Sequence, residues 1–135
     1  MQFKVSGKII FLRFEHGEDL FLELERVLNS ERVSSAVVLS GIGMLSNFEI
    51  GYMNMEKGEY EKTFYEEPHE LLSLCGNVSL KDGKPFAHLH ATVAGKDHTG
   101  KGGHLFRATV CNTLEMVIER LEGMKLIRNK YLNVD

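Results

Sequence analysis

The stretch PFAHLHATVAGKDHTGKGGHL, Pro85–Leu105, holds four of the chain's six histidines, His88, His90, His98 and His104. Its reading decides the fold, because it divides into strand, loop and returning strand. Phe86–Val93 alternates as a strand does, so His88 and His90 point to the same side. Ala94–Gly103 is polar and glycine-rich, the composition of a turn or loop. His104–Val110 then reads as a strand coming back, which sets His104 beside the first pair. Three neutral imidazoles around a divalent ion, with one position left for water or another ligand, form the pattern of an open zinc site. His88, His90 and His104 are therefore the candidate metal ligands and zinc the expected ion. His98 is expected to be solvated at the loop tip, and nothing local assigns a role to His16 or His69.

Working outward, Glu70–Leu80 reads as a strand joined to the histidine strand by a hairpin turn at Lys81-Asp82-Gly83-Lys84. Leu45–Met55 and Glu59–Glu66 form another strand pair, joined through Glu56-Lys57-Gly58 and rich in strand-favouring aromatics. Before them, Ser35–Leu39 is a short buried-strand run followed by Ser40-Gly41-Ile42-Gly43. That Gly-x-Gly lacks the third glycine and the helix of a dinucleotide site, so no nucleotide cofactor is indicated. It reads instead as a turn needing positive φ or as a close approach of backbones. Phe3–Phe14 carries two strand-like pieces about Gly7. His16-Gly17-Glu18-Asp19 then opens a helix, its carboxylates in the first turn where the helix dipole favours them. Leu20, Phe21, Leu24, Val27 and Leu28 give that helix an apolar, core-facing stripe.

Downstream, Thr113–Arg120 has strand character, although its period also allows a short helix. Gly123 ends it, and Met124–Leu132 reads as a last strand. Lys125, Arg128 and Lys130 make that strand basic, as suits a solvated edge whose charges discourage sheet-to-sheet aggregation.

A chain of 135 residues is expected to form one domain, 1–135, with a core large enough to need no staples. The net charge of −3 gives no global attraction to nucleic acid or to an anionic membrane. No apolar run is long enough for export or membrane spanning, so a cytoplasmic location and no membrane partner are expected. Cys75 and Cys111 lie in strand-like runs without Cys-x-x-Cys spacing and read as buried free thiols. Eight or nine short strands and one clear helix indicate an α+β domain with a largely antiparallel sheet. A single helix cannot cover such a sheet, which predicts burial of the remaining apolar face in a homo-oligomer.

Several ordered motifs together resemble the PPC (plant and prokaryote conserved) domain: Arg13-Phe14-Glu15-His16-Gly17-Glu18-Asp19-Leu20, Ser40-Gly41-Ile42-Gly43, Glu70-Leu71-Leu72-Ser73-Leu74-Cys75-Gly76-Asn77, Asp82-Gly83, His88-Leu89-His90 and Gly102-Gly103-His104-Leu105. The resemblance covers nearly the whole chain. It implies an α+β fold assembled as a homotrimer, with the histidines matching His88, His90 and His104 forming a metal site, zinc by preference. Plant relatives add an AT-hook with an Arg-Gly-Arg-Pro core, a motif absent here, and carry Arg-Phe where Pro68-His69 precede Glu70.

The resemblance implies a DNA-binding or DNA-associated regulatory protein, with DNA or other proteins as partners besides its own copies. A zinc-dependent enzyme is the alternative, since an open three-histidine site lowers the pKa of bound water to roughly 7. Such an enzyme needs a carboxylate base, for which Glu70 and Asp97 are the candidate pocket groups. A metal- or ligand-binding sensor acting through protein contacts needs the same site and no turnover.

Overall fold

The computed structural model describes every residue, Met1–Asp135. Nine strands and one helix follow in the order β1 (Gln2–Ser6), β2 (Ile9–Glu15), α1 (Leu20–Ser30), β3 (Ala36–Asn54), β4 (Glu59–Tyr65), β5 (His69–Lys81), β6 (Lys84–Ala94), β7 (Gly100–Arg120), β8 (Leu126–Arg128) and β9 (Leu132–Val134). The mostly antiparallel sheet with one main helix expected from the sequence is what forms. All pairings are antiparallel except a single parallel bridge from Leu80 in β5 to Ile127 in β8. β3 pairs β7 and β5, β5 pairs β6, and β6 pairs β7 again, so the sheet closes on itself through these four strands. α1 packs over β6 and β7. Asp19 caps it, accepting from the Leu22 amide at 2.9 Å, and Leu20, Leu24, Val27 and Leu28 are buried as the stripe requires.

Two strands are much longer than the sequence suggests. β3 runs through Ser40-Gly41-Ile42-Gly43 without turning, its register shifting at bulges instead. A Cβ on Gly43, whose φ is +145°, would lie 2.2 Å from the carbonyl oxygen of Thr113 in β7. Close approach of backbones, and not a reversal of direction, is what requires glycine there. β7 likewise absorbs Gly100–Gly103, leaving only residues 95–99 as loop. The Thr113–Arg120 segment continues the same strand: Leu114, Met116 and Ile118 alternate into the core and are fully buried.

The core is one cluster of 25 residues. It collects Ile10, Leu12 and Phe14 from β2, the α1 stripe, and alternate residues of β3, β5, β6 and β7. Two other expectations are corrected. Cys75 is exposed and Cys111 half-buried, both free, because strand alternation puts the neighbouring Leu74 inside and turns Cys75 out. Met124–Leu132 is no single edge strand: it makes β8, a turn, and the start of β9, and it lays Arg128 against β5 and β6.

Candidate metal centre

His88 and His90 leave the same face of β6, with Leu89 between them fully buried on the other. His90 is the cross-strand partner of His104 in β7, so the row continues from one strand to the next. Ring centroids lie 5.1 Å apart for His88 and His90, 5.0 Å for His88 and His104, and 5.4 Å for His90 and His104. One ring nitrogen from each falls within 4.8 Å of the others. His104 can reach this position because β7 is gripped on both sides, by β6 through His90 and by β3 through Gly51. A Cβ on Gly103 would sit 2.6 Å from the Gly51 carbonyl oxygen. The glycines before His104 are therefore there for strand contact, and they hold the third imidazole against the first two.

The surroundings favour neutral imidazoles. Burial first, then the neighbouring His88 and His90, pushes His104 down to about 4. His88 is lowered by burial and then by Arg128 and His90. Tyr60 and Phe106 pack on the His104 ring at 5.0 and 4.4 Å. His104 Nδ1 is buried with no hydrogen-bond partner. A buried ring nitrogen left unpaired costs free energy, and coordination of an ion in the cluster offsets that cost by satisfying the group or ordering its ring. The donor set fits a divalent transition ion: imidazole suits zinc, copper, iron or nickel.

The two carboxylates suggested by the sequence are elsewhere. Glu70 pairs with Ala94, whereas His90 pairs with Cys75, which separates Glu70 from the row by five residues, roughly 17 Å of strand. Asp97 is exposed in the loop beyond Ala94 and accepts from the Thr99 amide at 3.0 Å, which holds its carboxyl below the usual range. His98 is an exposed loop residue with φ +62°. His69 is buried, and His16 Nδ1 accepts from the Asn112 amide at 3.0 Å.

Arg128 is the neighbour of the histidines whose place the sequence does not reveal. Its Nη2 lies 3.3 Å from Asn77 Oδ1 and 3.4 Å from His88 Nδ1, and its Nε 3.4 Å from Ser79 Oγ. The single β5–β8 bridge and the Leu126 amide, which donates to Ser35 Oγ at 2.9 Å, bring it there, and no periodicity announces such isolated contacts. A cavity of about 650 Å³ opens beside it. β6 and β7 part beyond the His90–His104 pair, α1 covers the wedge between them, and the turn after β8 walls its side.

A closed antiparallel sheet with one helix and three converging histidines defines a β-rich domain able to hold a metal ion. The chain belongs to the Plants and Prokaryotes Conserved (PCC) domain family, which matches residues 1–122. A plant- and prokaryote-conserved (PPC) protein of Pyrococcus horikoshii is 35% identical, with a TM-score of 0.86 over 96% of this chain and 89% of that one. A metal-containing protein of Archaeoglobus fulgidus is 42% identical, with a TM-score of 0.83 over 94% and 88%. Two structures under 25% identical, from Bacteroides thetaiotaomicron and Ralstonia eutropha, share the fold with TM-scores of 0.88 and 0.86. The bifunctional protein GlmU of a Synechococcus strain is 36% identical over 100 residues, 74% of this chain. The chain spans about 15% of the length of the curated relatives it matches. No helix is long and apolar enough to cross a membrane.

Proposed function

We propose that residues 1–135 form one PPC domain of a cytoplasmic, homotrimeric regulatory protein that associates with DNA and holds zinc on His88, His90 and His104. The observation that carries the metal is the convergence of three ring nitrogens within 4.8 Å. A 42% identical relative described as metal-containing supports it. DNA association draws support from the Bacteroides and Ralstonia proteins, both named as candidate DNA-binding proteins. Self-association is supported by apolar side chains left on the outer face: Leu39, Ile42 and Leu72 are each about half exposed, and Ile42 and Leu72 follow the Gly43–Leu71 pair in register. Bound zinc would supply a Lewis acid with a position open to water or ligand.

Elemental analysis of untagged protein tests the metal: close to one zinc per chain in wild type, and none in His88→Ala or His104→Ala. Light scattering after gel filtration tests the trimer, expected near 46 kDa, three times the 15.3 kDa chain. A gel shift at low salt tests DNA, because phosphate contacts are strongest there; no shift removes DNA from the reading.

One observation favours a second reading, a zinc-dependent enzyme. The cavity beside the histidines has the size of a small-molecule site. Its one lining carboxylate is Glu25 on α1, which takes the place of Glu70 and Asp97 as the candidate base. Turnover of an ester, amide or phosphodiester by zinc-loaded wild type and not by His88→Ala would establish that reading.

A further inference from the structure

We infer that the cavity between β6, β7 and α1 binds a small organic anion, an acidic group carried on an apolar or aromatic body. This deepens the preceding reading by naming the class of ligand at that site, and rests on it only for the ion the acidic group would approach.

The charge of the wall is the first observation. Lys81, Arg128 and Lys130 line the cavity, against one carboxylate, Glu25. The ion pairs of this chain use Arg13, Arg26, Lys57 and the terminal amine as cations, so none of the three cavity cations has a carboxylate within reach. Arg128 is positioned without being neutralised: the groups around it, Asn77, Ser79 and the His88 ring, are uncharged acceptors. These contacts occupy Nε and Nη2 and leave Nη1 to donate to an acid such as a carboxylate or phosphate. Lys81 stands 4.8 Å and Arg128 5.6 Å from the centre of the Phe86 ring, which gathers two cations at one end of the cavity.

The rest of the lining is largely apolar: the half-buried Phe21, Pro85 and Phe106 give it surface, over the buried Leu24, Leu28 and Leu105 of the core. A volume of about 650 Å³ lies inside the range of roughly 300–1,000 Å³ typical of small-molecule sites. An inorganic ion would satisfy the cations and leave the half-buried Phe21 and Phe106 rings wet. A neutral hydrocarbon would fill the apolar wall and leave the cations repelling one another. A molecule with an acid at one end satisfies both, and its acid would lie beside His88, which lines the same cavity. The concave apolar wall favours a small molecule over a nucleic-acid backbone.

The test measures binding of 3-phenylpropionate and phenyl phosphate by titration calorimetry, with 3-phenylpropanol as the neutral counterpart, on full-length protein stripped of metal. Both anions are expected to bind, with the alcohol weaker by at least about tenfold, the worth of a hydrogen bond to a charged group. Arg128→Met keeps the aliphatic stem and should weaken both anions by about the same factor while leaving the alcohol unchanged. Lys130→Met, at an exposed position, should weaken them less and serves as the second variant if Arg128→Met fails to fold by circular dichroism. Equal affinity for acid and alcohol, unchanged anion affinity in both variants, or no binding of any probe would overturn the inference. Zinc content of the same preparations, measured before the metal is stripped, separates the two claims: zinc bound with no anion binding sinks this inference alone, and anion binding with no zinc sinks the metal reading alone.

Discussion

His69 and His104 are both histidines packed among aromatic rings on neighbouring parts of one sheet, yet their nitrogens are treated differently. His69 is 6% exposed, lies edge-on to Phe48 and Tyr65 at 5.1 and 5.5 Å, and has Nδ1 2.9 Å from the Glu67 carbonyl oxygen. With a backbone partner in place, its ring is complete as a piece of core. His104 has aromatic neighbours of the same kind, Tyr60 and Phe106, but its Nδ1 is buried without a partner and two more imidazoles face it. The difference teaches that burial and aromatic packing do not distinguish a structural histidine from a candidate ligand. The fate of the ring nitrogens does.

The largest effect that would break this contrast is in metal binding. His104→Ala should lower zinc affinity beyond the roughly 10–100-fold that loss of a ligand's supporting partner costs. His69→Ala should leave zinc content unchanged. Equilibrium dialysis against a zinc indicator checks both, and equal losses in the two variants would end the distinction. Next is Gly103→Ala, whose Cβ would press on the Gly51 carbonyl. It should destabilise the fold by about 1–3 kcal/mol, the usual cost of overpacking, and weaken zinc binding by moving His104; urea unfolding measures the first effect. His69→Ala should cost about 2 kcal/mol from lost packing and an orphaned Glu67 carbonyl, visible as a lower midpoint with metal affinity intact.

How far the sequence reaches follows from the range of the interactions involved. His88 and His90 share a face because strand alternation is local, and the α1 stripe and the Lys81–Lys84 turn are local for the same reason. The return of His104 beside them is also legible, since a hairpin pairs neighbouring segments. What the sequence hides is non-local. Gly103 looks like a loop residue and Gly43 reads as either a turn or a close approach of backbones, and only the strands pressing on them decide. Arg128 looks like a solvated edge charge until one bridge docks β8 on β5, 47 residues upstream at Leu80. Glu70 and Asp97 are near the histidines in sequence alone: register sets Glu70 five residues along β5 from the partner of His90, and Asp97 lies in the loop beyond Ala94.

A pH series sharpens the contrast by a smaller margin. His104 is held near 4 and His88 below its ordinary value of 6.5, so in metal-free protein the unfolded chain takes up protons that the folded chain refuses. Stability therefore falls as pH drops from about 6.5 toward 4, because the unfolded state binds more protons across that window. Thermal melts of chelator-treated protein should show this decline, and His104→Asn should flatten it. A wild-type melting temperature that is level from pH 7 to 4.5 would mean the cluster is already solvated and free to protonate.

The smallest expected effect belongs to the carboxylates. Glu70→Gln and Asp97→Asn remove charge without changing shape, and both groups are exposed and separated from the histidine row by several residues of strand. Surface charges at such distances are largely screened at physiological salt, where the Debye length is about 8 Å, so zinc affinity should change by less than about twofold in either variant. Glu25→Gln is the informative companion, because Glu25 lines the cavity that His88 and His104 also line. If zinc affinity or any zinc-dependent turnover follows Glu25 and ignores the other two, the acid that serves the site comes from α1, across the wedge from the strands that carry the histidines. If Glu70→Gln lowers zinc affinity tenfold, the strand ladder transmits more to the histidines than its register allows, and the separation drawn between the two ends of β6 fails.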